Sequence, residues 1–413
     1  MAGADIDRRP GPAQGMVVIA AGFLPILAIV TLFPAVPSII DRFAGDPRAG
    51  WMVPAMVSAP GLAIAAIAPF AGILVDRFGR RRLLLWSTFL YGLVGALPFL
   101  LNSLDAIYAS RLALGVTEAA ILTTLNTLIG DYWDDKGRRN WLTLQGMIGP
   151  FLASGMIFLA GILTGMRWNG VFLIYLVALP IWLAMLAYMF EPRSDATARA
   201  VLGIDQQPAR TAFPWASVAV IGGVTLFASI LYYVFIINGG LAFREVGVRS
   251  SEELGRISAI PSLFIIAGAG VFWLTGRLGP RAQLAIFLSL LGLGLLVIGL
   301  APDWRWMIAG LCVQQTGAGM AIPTLIAWAQ LKLPFEHRGR GMGVWTACFF
   351  FGQFVSPLLV SAVRGGLGTM QAAFVATGLI GLAGAAVGAL LALRGRQATP
   401  STLVPVLPRN AGA

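Results

Sequence analysis

Long apolar runs separated by short polar turns fill this chain. The runs, with soft edges, fall near residues 16–40, 51–75, 83–101, 106–130, 141–165 and 170–190, and again near 213–239, 256–275, 282–301, 304–331, 341–363 and 370–393. A helix needs roughly 20 apolar residues to cross the hydrocarbon core of a bilayer, and these runs are of that length. The pattern predicts an all-α polytopic membrane protein with twelve transmembrane helices. The longest polar interruption, EPRSDATARAVLGIDQQPARTAF, begins at Glu191 and divides the runs into two sets of six. The expected organisation is a tail over 1–15, a six-helix half over 16–190, a linker over 191–212, a second six-helix half over 213–393 and a tail over 394–413. Pro25, Pro34, Pro60, Pro150, Pro261 and Pro357 lie inside runs, which membrane helices tolerate when neighbours satisfy the freed carbonyls. The first run follows a mixed-charge segment with no small-residue cleavage site, so it reads as a retained helix and not a signal peptide.

Composition agrees with that pattern. Of 413 residues, 58% are hydrophobic and 11% charged, with a mean hydropathy of +0.81. Soluble domains carry roughly a quarter charged residues, and disordered chains have far fewer apolar side chains. The net charge of +11 could suggest nucleic acid, but its distribution points elsewhere. Twenty of the 29 basic residues fall on the side that holds both termini and the linker, eight fall on the other side, and Arg111 lies within a run. Basic loops face the cytoplasm, so the termini and linker are expected there, in a bacterial-type inner membrane, with no nucleic-acid partner. Cys312 and Cys348 both lie in apolar runs, and His337 is the only histidine. No disulfide framework, metal site or histidine-based triad can be built from these, so no metal, cofactor or enzymatic activity is expected.

The halves carry a short internal repeat. At a shift of 200 positions, Arg77-Phe-Gly79-Arg80-Arg81 overlies Arg277-Leu-Gly279-Pro280-Arg281, and Arg138 overlies Arg338. Repeated halves with a site between them are a common build for secondary transporters. Between the second and third runs the chain reads Gly72-Ile-Leu-Val-Asp76-Arg77-Phe-Gly79-Arg80-Arg81-Arg82-Leu83. This resembles the signature loop of the major facilitator superfamily, G-x-L-x-D-R-x-G-R-R. Arg111-x-x-x-Gly115 in the fourth run, and the loop from Asp131 to Arg139, resemble further motifs of that family. The resemblance covers essentially the whole chain. It implies two six-helix halves rocking about a midplane site, and a conformational latch made by Gly72, Asp76, Arg77, Gly79, Arg80, Arg81 and Asp131. In that latch Asp76 would face the start of the eleventh helix near Gly339, Gly341 and Gly343, and Arg80 would pair with Asp131. A carboxylate at a helix N-terminus contributes roughly 0.3–1 kcal/mol when exposed. Arg82 is expected to serve topology alone. In the fifth run, Gly146, Gly149, Pro150 and Gly155 resemble an antiporter motif, with Ala153-Ser154 where the family has two glycines. Simple close packing of small residues explains that segment equally well.

Chemistry concentrates in the fourth run. Glu118 is the only acid deep in any run, and an ionisable group at that depth costs at least ~2.5–3.5 kcal/mol by insertion scales. Arg111, Gly115, Glu118 and Asn126 share one face, with Arg111 and Glu118 about 10 Å apart along the axis. Burial and a neighbouring cation act on a carboxyl in opposite senses, which suits exchange of a proton near neutral pH; a static ion pair is the alternative. Gln314, Ala318, Ala321, Thr324 and Trp328 share a face of the tenth run, and Thr225, Ser229 and Tyr232 one of the seventh. Family architecture implies that the first, fourth, seventh and tenth helices surround a central cavity. The expected solute contacts are Asn126, Ser229, Tyr232, Gln314, Thr324 and Trp328, a set suited to an amphipathic or aromatic solute. The first run offers almost no polar group, which argues against a sugar. The resulting expectation is a monomeric secondary transporter that exports a small organic solute against protons, with Glu118 as carrier and Arg111 as its partner. Uptake of an organic anion held by Arg111 is the alternative, and a non-transporting receptor or scaffold is the rival of a different class.

Overall fold

A computed structural model describes residues 10–70, 77–192, 212–334 and 337–397. Helices and turns account for all of the secondary structure among them, with no strand. Eleven helices are both long and apolar enough to cross a membrane. A further helix, Trp304–Lys332, has the length at 29 residues, but Gln314 and Gln315 dilute its apolar run. With it the described residues hold twelve spans, six before residue 193 and six after residue 211.

The first span is not one straight rod. It is divided into Pro12–Gly22, Leu24–Val30 and Val36–Arg42. Pro25, Pro34 and Pro37 remove backbone donors in this stretch, and the ladder breaks where they do. The eighth span likewise divides into Ser251–Ser262 and Ile265–Leu274, just past Pro261. The tyrosine hydroxyls of the third and sixth spans donate to carbonyls of the broken first span: Tyr91 to Leu24 and Tyr175 to Ala28.

The repeat seen in the sequence is also a repeat of conformation. Gly79 and Gly279 have φ of +79° and +82°, and each immediately precedes a helix, Arg80–Ala96 and Pro280–Leu300. Their extended ψ places both in a region essentially reserved for glycine.

Within the halves, the fourth span (Leu104–Tyr132) packs on the second (Ala49–Ile67) and third, and the tenth packs on the ninth. Between the halves, the second span meets the eleventh (Arg338–Leu367), and the fifth (Asp135–Met166) meets the eighth. We call the end of the bundle that holds Pro12 and the end of the twelfth span (Met370–Gln397) the terminal face.

The halves meet tightly at the opposite face. There Asp41 ion-pairs with Arg244 at 2.7 Å, the Ser38 and Ser251 hydroxyls lie 2.7 Å apart, and Phe33 meets Phe235 at 5.3 Å. Gly161 and Gly255 bring the fifth and eighth backbones so close that a Cβ on Gly255 would lie 2.9 Å from the Gly161 Cα. Deeper in, the Ser154 hydroxyl donates to Ala259 O. Toward the terminal face these two helices part. Met147, seven residues before Ser154, is 64% exposed, and Trp273, fourteen after Ala259, is 79% exposed. Seven residues are about two turns, so Met147 continues the face of the fifth span that touches farther up. Trp273 lies beyond the break at Leu263 and Phe264, in the Ile265–Leu274 segment of the eighth span, which hardly touches the fifth. The second and eleventh spans stay in contact through the Ala68–Phe70 turn. The conformation is therefore closed at the opposite face and parted between the fifth and eighth spans at the terminal face.

Candidate functional site

Arg111 and Glu118 are the only Asp, Glu, Lys or Arg side chains fully buried among the described residues. They do not form an ion pair. Arg111 turns toward the third and sixth spans, where Nη2 donates to Gly95 O at 2.8 Å and to Val94 O at 3.5 Å. Its guanidinium lies 4.8 Å from the Tyr175 ring and 5.2 Å from the Phe172 ring. Nε and Nη1 have no partner. Desolvated cation–π contacts of this kind are worth about 2 kcal/mol or more, which offsets part of the cost of burying the charge. Glu118 lies near enough to Arg111, Tyr91 and Tyr175 to interact with them electrostatically, yet its Oε1 has no hydrogen-bond partner. Two things keep them apart: seven residues along one face are about 10 Å, and the arginine is drawn aside by the Val94 and Gly95 carbonyls of the third span. A buried carboxylate oxygen without a partner is costly unless it is protonated or met by a mobile group.

The expected solute contacts fall into different settings. Asn126 is exposed on the Glu118 side of the fourth span, and Tyr232 is half-buried in the seventh span, Trp215–Glu245. Ser229 is buried at the contact with the eleventh span and donates to Phe349 O. Gln314 is buried against the ninth span, where a Cβ on Gly294 would sit 2.5 Å from its backbone nitrogen. Both Gln314 amide atoms and the Thr324 hydroxyl lack partners. Trp328 is buried beside Lys332, with Nζ 5.3 Å from its ring. The tenth-span stripe thus points partly into its own half. Tyr232 gathers with aromatic side chains not singled out in the sequence: Tyr232, Tyr233 and Trp345 each approach the Phe349 ring within 6 Å.

At the terminal face, Arg80 Nε meets Asp131 Oδ2 at 3.1 Å, with both side chains largely buried. Gly72 and Asp76 lie outside the described residues. Arg77 is exposed with its guanidinium over Phe78, and Gly341 abuts Leu333. The main feature missed in the sequence is Glu191. Its carboxylate accepts from Arg80 N at 2.7 Å and Arg81 N at 2.8 Å, capping the third span. Arg81 reciprocates, with Nε donating to Met189 O at 2.7 Å at the end of the sixth span. A Cβ on Gly79 would come within 3.2 Å of that carboxylate. Tyr132 closes the same corner, donating to Phe190 O at 2.6 Å. In the antiporter-like segment, Gly149 faces Phe23, Pro150 is half-buried, and Gly146 and Gly155 have open space beside them.

Comparison with known proteins places this arrangement. The sequence matches the Major Facilitator Superfamily over residues 18–283 and 245–408. The enterobactin exporter EntS of Shigella boydii serotype 4 (strain Sb227) is 28% identical over 407 residues, covering 91% of this chain and 90% of that protein. EntS of Escherichia coli O81 (strain ED1a) is 27% identical with the same coverage. Among solved structures, the nucleoside transporter NupG gives a TM-score of 0.70 at 13% identity, covering 92% of this chain and 99% of that one. The human organic anion transporter MFSD10 (TETRAN) gives 0.66 at 18% identity, covering 92% and 100%. These two show the fold; the family match, spread over both halves, shows the relationship. The chain is a multi-pass secondary transporter and belongs to the Major Facilitator Superfamily.

Proposed function

We propose that the protein exports a small organic solute in exchange for protons, with Glu118 as the proton-bearing group and Arg111 as its fixed positive neighbour. One observation carries this reading: Glu118 is the only fully buried acid among the described residues, and its Oε1 has no partner. A carboxyl so placed is neutralised by a proton or by an arriving solute group, and competition between the two is what couples their movements. Export is supported by relatives named as exporters along nearly their full length, and enterobactin, the cargo in their names, is the first solute to test. Uptake of an anion held by Arg111 fits less well, because that side chain is enclosed by Gly95, Phe172 and Tyr175.

The basic excess argues that the terminal face, with both termini and the linker, lies in the cytoplasm. The conformation is then the inward-facing one, with its parted side open to solute from the cell. A reporter fused at Ala413 should be active only in its cytoplasmic form; activity restricted to the outside would reverse every loop. A monomer suffices, since each chain holds both halves. In this reading Arg80–Asp131 and the Glu191 cap hold the terminal-face corner of the first half rigid while the halves rock. The central test is Glu118→Gln in proteoliposomes. Solute-driven proton movement and concentrative transport should be lost, while solute binding persists without its pH dependence. A variant that still couples normally would remove Glu118 from the mechanism.

A further inference from the structure

Resting on the reading of the chain as a small-solute transporter, we infer that the inner wall of the C-terminal half is a binding site for an uncharged aromatic ring bearing hydroxyl or amide groups, built on Phe349 with Tyr232, Tyr233 and Trp345. Phe349 is the hub. Trp345 stacks on it at 5.3 Å with an interplanar angle of 13°, and Tyr233 and Tyr232 meet it obliquely at 5.7 and 5.9 Å. Trp345, Phe349 and Gln353 are spaced four apart on the eleventh span and so form one stripe. Ser229, bonded to Phe349 O, fixes the seventh span against that stripe.

The polar groups interleaved with these rings are unused. Trp345 Nε1, both amide atoms of Gln353 and the Thr225 hydroxyl are buried and lack any hydrogen-bond partner. The Tyr232 and Tyr233 rings meet each other and the Phe349 ring. Unmade hydrogen bonds at buried groups cost about 1–3 kcal/mol each, so four such groups around one ring cluster form a poor plain core. They are what a ring-shaped solute with its own donors and acceptors requires: faces to stack on, and a few fixed polar points at the edge.

Charge selects among aromatic solutes. Tyr233 lies within electrostatic reach of Glu118 across the two halves, so the carboxyl belongs to the same neighbourhood. Arg111 is nearby with no carboxylate bound to it, and the two buried charges sum to zero. A cation would gain from Glu118 and lose to Arg111, and an anion the reverse. An uncharged ring loses to neither, and when Glu118 is protonated it finds one more donor.

A ligand series with a common ring tests this on the purified full-length chain in detergent, read by thermal melting. The neutral 4-(2-hydroxyethyl)phenol should raise the melting temperature saturably, because a ligand of the folded state stabilises it by mass action. The saturated analogue 2-cyclohexylethanol should need about tenfold more for the same shift, the value of an aromatic contact of ~1.4 kcal/mol. Tyramine and 4-hydroxyphenylacetate, with the same ring and opposite charges, should both be weaker. Phe349→Leu should abolish the response. Trp345→Phe, which keeps the ring and removes the Nε1 donor, should weaken it about fivefold to tenfold and keeps the test open if Phe349→Leu misfolds. The site is refuted if the cyclohexyl compound matches the phenol, if a charged member binds best, if wild type responds to none, or if Trp345→Phe leaves the response unchanged. Proton movement driven by enterobactin in vesicles, measured in parallel, separates the two readings. Movement without phenol binding refutes the site alone, and phenol binding without movement of protons by any solute refutes the transport mechanism alone.

Discussion

Arg111 shows what one residue can do by being hard to satisfy. It is fully buried, donates to main-chain carbonyls and faces two aromatic rings, while the nearest acid keeps a free oxygen. The two are not ion-paired, but removing Arg111 leaves the buried Glu118 carboxyl without its positive neighbour, at a cost below the roughly 3–5 kcal/mol of breaking a buried ion pair. Arg111→Leu should therefore melt well below wild type, and Arg111→Leu with Glu118→Leu should recover much of the loss. Melting curves of the four proteins decide the point; a double variant no more stable than the single would mean that the arginine is held by its carbonyls and rings alone. The sequence made the acid visible through its depth and the arginine through its motif. It could not show that they look past each other, because helical spacing gives the separation of two side chains but not the partners drawing each one aside.

Elements were far more legible than their azimuths. Apolar runs located every span, and even the repeat loop was readable, since Arg77–Arg81 and Arg277–Arg281 differ mainly at Pro280. Three things stayed hidden. The first span breaks because several prolines act together, whereas a window average sees only apolar residues. The tenth-span stripe is a true face, but periodicity cannot say whether it looks toward the midplane or, as Gln314 does, toward the ninth helix. Glu191 caps a helix that starts more than a hundred residues earlier, a pairing that only the folded chain creates. The two repeat glycines offer a controlled test of that cap. Gly79→Ala and Gly279→Ala should both pay backbone strain of about 1–3 kcal/mol. Gly79→Ala should lose more, because its Cβ also crowds Glu191 whereas Gly279 has open space beside it. Equal losses in melting temperature would show that the carboxylate moves aside freely.

At the scale of the molecule, the seam between the halves is asymmetric, and its polar contacts are few. Arg244–Asp41 is partly exposed, so it is worth only about 0.2–1 kcal/mol, enough to shift a two-state balance up to roughly fivefold. Asp41→Asn should raise labelling of a cysteine placed at Ser38, in a background lacking Cys312 and Cys348, from the face opposite the termini. Exchanging the charges, Asp41→Arg with Arg244→Asp, should restore protection; labelling that ignores both changes would mean the pair does not hold the seam. The tenth helix carries the last consequence, and it concerns synthesis. A helix leaving the translocon enters lipid according to its own composition, and Trp304–Lys332 falls short of the apolarity of the other eleven. Its Gln314 packs on the ninth helix at Gly294, so the nascent chain has reason to hold these two segments together as a hairpin and release them as one. A chain interrupted between them would leave the ninth helix in the membrane with the tenth poorly retained, and the aromatic wall that depends on the following span would never assemble.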